Sequence, residues 1–185
     1  MGVKFTSVFS AVDMAENLSA KAGKPVSTCG YFGLLGAEFD PETGTLKGDY
    51  YEKPSYFAFQ NLCAVFCENV VPKEIPVVFL PKQSKRVNGW DCPTKELIWG
   101  GISKANGSVA FAYWNSTDLH TVQGYEGTVT FEIACPGQAR LVDLMDGSVY
   151  LIGGDVLKEK GDGLYVFENI PVRDYPLLLT FGDFL

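Results

Sequence analysis

Four carboxylates crowd one stretch of this chain: Glu38, Asp40, Glu42 and Asp49. Two carboxyl groups held close together can divide acid and base work, one giving a proton while the other takes one. These four lie among Pro41, Gly44 and Gly48 in a polar run without hydrophobic periodicity. They read as solvated loop charges and not as a catalytic dyad. Thiols are the next candidates. The five cysteines are Cys29, Cys63, Cys67, Cys92 and Cys135, with no C-x-x-C among them. An odd number cannot all pair within one chain. Cys63 and Cys67 stand one helical turn apart, a spacing that suits a metal, but the chain has a single histidine, His120. Buried thiols in a reducing, cytoplasmic setting are therefore expected, with no metal and no cofactor. His120 sits near a polar turn and reads as a surface residue. No P-loop, G-x-G-x-x-G or H-E-x-x-H occurs.

Composition narrows the partners. The 185 residues carry a net charge of −7, which argues against nucleic acid, whose phosphates need a basic footprint. No apolar run approaches a membrane span, and no basic amphipathic stripe suits a membrane surface. Met1-Gly-Val-Lys lacks the apolar core of a signal peptide. The sequons at Asn17, Asn106 and Asn115 mean little without a secretion signal.

The elements that would hold these residues fall into two kinds. Residues 5–22 predict a helix: Val8, Val12, Ala15 and Leu18 line one face, Lys21 and Gly23 suit its end, and Pro25 stops it. Val26–Leu35 predicts an apolar strand broken by Gly30 and Gly33. Residues 36–53 predict a loop of eighteen residues, long enough to be either functional or a surface excursion. Pro54 then starts a second helix, reaching residue 70, with Phe57, Leu62, Val65 and Phe66 at helical spacing. Pro72 and Pro76 mark a linker. Short strands follow at 75–81, 97–103, 108–114, 128–133, 140–145, 148–152, 163–170 and 175–181, with tight turns at Asn106-Gly107 and Asp146-Gly147. The chain is thus expected to be mainly β. Its parts are an α-β-α segment at 1–72 and an antiparallel β-sandwich of seven or eight strands at 73–185. Trp90 falls in an irregular loop. Trp99, Tyr113 and Trp114 fall in the central hairpin, where alternation puts Tyr113 and Trp114 on opposite faces. Core packing is the expectation for most of them.

Two stretches carry a resemblance. Cys29-Gly-Tyr-Phe-Gly-Leu-Leu35, a variable loop, and Lys53-Pro-Ser-Tyr-Phe-Ala-Phe-Gln-Asn-Leu62 resemble the last strand and last helix of a glycoside hydrolase barrel. The likeness is to retaining TIM-barrel enzymes related to β-xylosidases and β-galactosidases, in which this helix leads into a C-terminal β-sandwich. The terminal pattern of Pro171, Asp174, Pro176, Leu179 and Phe181 fits that plan. The resemblance implies a (β/α)8 remnant, with both catalytic carboxylates on barrel strands that would precede residue 1. It implies no catalytic residue in this chain, and no hydrolysis by the chain alone. It also implies that Tyr31 and Phe32 lie where an aromatic residue, commonly tryptophan in the family, floors a sugar subsite. As residues, Tyr31 and Phe32 equally suit core packing.

The expected partners follow: carbohydrate, and either the missing barrel portion or a second copy, bound through residues 1–72. A free-standing carbohydrate-binding sandwich and a purely structural interaction module are the alternatives. The first of these requires an exposed aromatic row on one sheet face.

Overall fold

The computed structural model describes residues 7–8, 10–18, 26–40, 43–67, 69–82, 97–115, 125–133 and 137–185. Within them the chain is mainly β, with one helix, and its sheets are antiparallel. It divides into two compact units, 1–60 and 61–185. The sequence puts the division at 72/73. Residues 61–72 belong with the second unit because Val65 is buried in a cluster there and Val71–Pro72 pair with Ser103 and Ile102.

In the first unit, β1 (Met14–Leu18) pairs antiparallel with β2 (Val26–Gly30), Met14 opposite Gly30 and Leu18 opposite Val26. Ahead of β1, residues 10–13 run beside 32–35. Leu35 N–H donates to the Ala11 carbonyl at 3.0 Å, Asp13 N–H donates to the Leu35 carbonyl at 2.9 Å, and Val12 and Leu35 form a parallel bridge. β3 (Leu35–Phe39) and β4 (Leu46–Glu52) form a hairpin, closed by Asp40 and Thr45.

Three expectations change here. The helix over 5–22 is absent from the described residues 10–18, which are extended. A helix would bond its N–H and C=O groups internally, whereas these bond to segments around 26–35. Residues 10–18 hold a single β-branched residue, Val12, so pairing with 26–35 and not propensity makes them extended, and a short apolar run does not separate the two periods. The single strand over 26–35 is two strands with a turn at 31–34, so it is not unpaired. The loop over 36–53 is largely the β3–β4 hairpin. Every residue of β4 is exposed, so no in-out alternation existed to be read.

α1 (Pro54–Val65) begins at proline, as expected, and stops five residues short of the expected end. Pro54 needs no partner for an N–H that the first turn leaves free anyway.

The second unit holds ten described strands in two antiparallel sheets. They are β5 (Val71–Pro72), β6 (Val77–Lys82), β7 (Leu97–Ser103), β8 (Val109–Asn115), β9 (Tyr125–Glu132), β10 (Ala139–Asp143), β11 (Val149–Leu151), β12 (Leu157–Gly161), β13 (Leu164–Val172) and β14 (Leu177–Phe181). One sheet runs β11-β10-β14-β8-β7-β5 and the other β12-β13-β9-β6. Phe111, Tyr113, Leu179 and Phe181 of the first share a core with Phe79, Val129, Phe131 and Phe167 of the second. Phe131 is central. Its ring meets Phe111, Phe167 and Phe181 edge-on at centroid distances of 5.0, 5.2 and 5.4 Å, the geometry that aromatic quadrupoles favour. The two sheets therefore pack face to face. On the other side of the six-stranded sheet Ala110, Val142 and Leu178 are covered by Val65, Leu144 and Phe184.

Both expected tight turns are present. Gly107 and Gly147 have φ of 84° and 79°, the left-handed region glycine enters without strain. Asn106 and Asp146 reinforce them, each accepting the N–H two residues on, from Ser108 at 2.9 Å and Ser148 at 2.8 Å. β5 and the charged, mostly exposed β12 are additional to the expected strands.

Candidate functional site

Gly33 sits where no other residue fits. A Cβ there would lie 2.2 Å from Asp13 N and from Val12 C, so only glycine lets the 31–34 turn lie against residues 12–13. That contact brings the Gly33 N–H to Asp13. The Asp13 side chain is fully buried. Its Oδ1 accepts from Gly33 N–H at 2.8 Å and from Lys53 Nζ at 2.6 Å, and its Oδ2 accepts from Ala37 N–H at 3.3 Å. Lys53 Nζ also donates to the Tyr31 carbonyl at 3.1 Å, and Lys53 N–H donates to the Leu34 carbonyl at 3.2 Å. Burial pushes the Asp13 carboxyl up, but the Lys53 ammonium and the two backbone donors outweigh it and hold the group below its ordinary value. A buried ion pair is tolerated where further hydrogen bonds satisfy its remaining lone pairs, as here.

The network fixes the backbone of the turn at 31–34. Tyr31 is 61% exposed and Phe32 71% exposed, so neither is packed in a core among the described residues.

The carboxylates near this turn are scattered along the hairpin. Glu38 and Asp49 are exposed on β3 and β4. Asp40 is engaged with Thr43 N–H at 3.0 Å and Lys47 Nζ at 3.2 Å. Glu42 lies outside the described residues. Cys63 and Cys67 are free and exposed, which corrects the expectation of buried thiols: of the residues of α1, only Val65 is buried. Cys92, Cys135, Trp90 and His120 lie outside the described residues.

In the second unit Tyr113 is fully buried and its hydroxyl donates to the Pro171 carbonyl at 2.8 Å; burial raises its pKa. Trp114 is half-buried. Trp99 departs from the core expectation and is 49% exposed on β7. Tyr150 is exposed on β11, but three strands separate it from β7, so the two make no aromatic row. A cleft of ≈ 600 Å³ opens beside Lys73, Asn106, Glu132 and Asp183, and its aromatic lining is the buried Phe181.

Asp13 escaped the sequence reading. Its signal was a lone acid inside the apolar run from Val8 to Met14, with a lysine directly ahead of the Pro54 helix start. Among the described residues no helix is long and apolar enough to cross a membrane. Compared with protein-family models and with curated proteins, the chain matches none of them.

Proposed function

We propose that this chain is the C-terminal portion of a TIM-barrel glycoside hydrolase related to β-xylosidases and β-galactosidases. In this reading residues 1–72 are the end of the barrel and the two-sheet unit is the appended β-sandwich. The chain contributes structure and one wall of the sugar site, and it is inert alone. The observation that carries the reading is the exposed Tyr31–Phe32 pair on a turn held by the buried Asp13–Lys53 network. Among the described residues of the first unit the isolated Val12–Leu35 bridge is the one barrel-like parallel pairing, whereas β1–β2 and β3–β4 are antiparallel. Free, exposed Cys63 and Cys67 fit a reducing, cytoplasmic setting.

A sugar titration tests the wall. Xylotriose or galactobiose should bind weakly to residues 1–185, and Tyr31→Ala and Phe32→Ala should each weaken that binding. A chain that binds neither sugar contradicts it. Purified residues 1–185 should not hydrolyse aryl glycosides. Robust turnover abolished by Glu38→Gln or Asp40→Asn would overturn the assignment.

A second reading, an interaction module, is favoured by one feature. α1 and the residue after it expose Phe57, Phe59, Leu62 and Phe66. Apolar surface of that extent marks an interface. The partner is the missing barrel portion, or a second copy when the chain is alone. The free-standing carbohydrate-binding module lacks the aromatic row it requires among the described residues.

A further inference from the structure

Asp13 and Lys53 touch no sugar in the proposed site, yet three bonds to the aromatic turn run through them, beside the two that Ser10 makes to Phe32 and Leu34. The carboxylate reaches residues 20 and 24 positions away, and the ammonium bonds a carboxylate 40 positions away. Together they fasten three separate segments: 10–13, 31–37 and the residue ahead of α1. Lys53 grips the turn twice, with its side chain on the Tyr31 carbonyl and its backbone N–H on the Leu34 carbonyl. Asp13 grips the middle of the same turn at Gly33 N–H. Asp13 and Lys53 thus hold the Tyr31 carbonyl, the Gly33 N–H and the Leu34 carbonyl, on either side of Phe32, while Tyr31 and Phe32 are themselves largely exposed.

From this we infer that the Asp13–Lys53 pair is a positioning clamp that sets the backbone of the Tyr31–Phe32 turn for stacking against a sugar face. The inference rests on the reading of these rings as a sugar wall. Its physical basis is pre-organisation: a loop already held in its binding geometry loses less freedom when the ligand arrives. Asp13 suits the task because an ionised carboxylate only accepts, and all three of its neighbours only donate. Asparagine in its place would set an amide NH2 against one or more of those donors. Lys53 suits it because an ammonium carries three donors and can serve the carboxylate and a carbonyl at once.

The test uses residues 1–185, amide-resolved NMR and xylotriose as the probe. Asp13→Asn and Lys53→Met should each raise the exchange rate of the Gly33 amide at least tenfold and weaken xylotriose binding about tenfold. The amides of Phe111 and Phe131 should stay protected. Lys53→Arg, which keeps the charge and several donors, should restore a large part of both signals. Unchanged Gly33 exchange in Asp13→Asn overturns the clamp, as does unchanged sugar affinity with exchange accelerated. Unfolding of the first unit in all three variants would make the pair merely structural and also overturns it. If the wild type binds no xylotriose, the sugar wall fails, while Gly33 exchange still reports whether the turn is clamped.

Discussion

Asp13 is a charge held out of water, and its consequences are specific. Its carboxyl sits below the ordinary 3.8. The unfolded chain therefore takes up the proton first as pH falls, and folding stability falls with it. The contribution is fully present above about pH 4 and is lost as pH drops through the folded value. Gly33 amide protection in the wild type should be flat from pH 7 to 5 and fall below about pH 4. Asp13→Asn should remove that acid step, and an unaltered step in the variant would assign it to another group. Removing one partner of a buried pair costs about 3–5 kcal/mol because the other charge is left stranded. Gly33→Ala is the companion prediction. The added methyl meets backbone atoms at 2.2 Å, which no rotamer can relieve. It should destabilise the first unit by about 3 kcal/mol, read from denaturant midpoints, and leave the second unit unchanged.

At the scale of elements, α1 ends in a core that is not its own neighbourhood in sequence. Val65 is 4% exposed among Ala110, Val142, Leu178 and Phe184, and β5 adds a short rung to β7. A polypeptide of residues 61–185 should unfold cooperatively. One of residues 73–185 should be less stable by about 2–3 kcal/mol, the worth of one buried valine with its neighbours. Equal urea midpoints would show that 61–72 add nothing. The strands that sequence made legible share a feature: a buried face or a glycine turn. β7 matched its expected span, and the turns at Gly107 and Gly147 announced themselves because they need positive φ. β4 and β12 were hidden because both are almost wholly exposed, so hydrophobicity does not alternate along them. Residues 10–18 were misread for another reason. Their partners lie at 26–35, and a one-dimensional pattern cannot weigh a pairing it does not contain. The aromatic half of the candidate site was visible as Tyr31 and Phe32. Its polar half needed Asp13 and Lys53 to meet across 40 positions.

For the whole molecule, the two units differ in how they satisfy their surfaces. The second closes its main core around Phe131 and covers part of an outer face with Val65 and Phe184. The first leaves Tyr31, Phe32, Tyr50, Tyr51 and Phe57 exposed. Such a surface predicts association. Light scattering at micromolar concentration should report a species larger than a monomer, and Phe57→Glu with Phe59→Glu should reduce it. A strictly monomeric chain with ordered residues 1–60 would contradict this. The sugar-wall reading stands on the same surface and is tested most directly by titrating xylotriose and galactobiose into residues 1–185 while following tyrosine and tryptophan fluorescence and the Tyr31 and Phe32 resonances. The prediction is saturable binding of one sugar with a dissociation constant on the order of 1 mM, about −4 kcal/mol. Tyr31→Ala and Phe32→Ala should each weaken it severalfold, with Trp99→Ala unchanged. Binding that survives the double variant Tyr31→Ala/Phe32→Ala, or no binding at tens of millimolar sugar, would contradict the account.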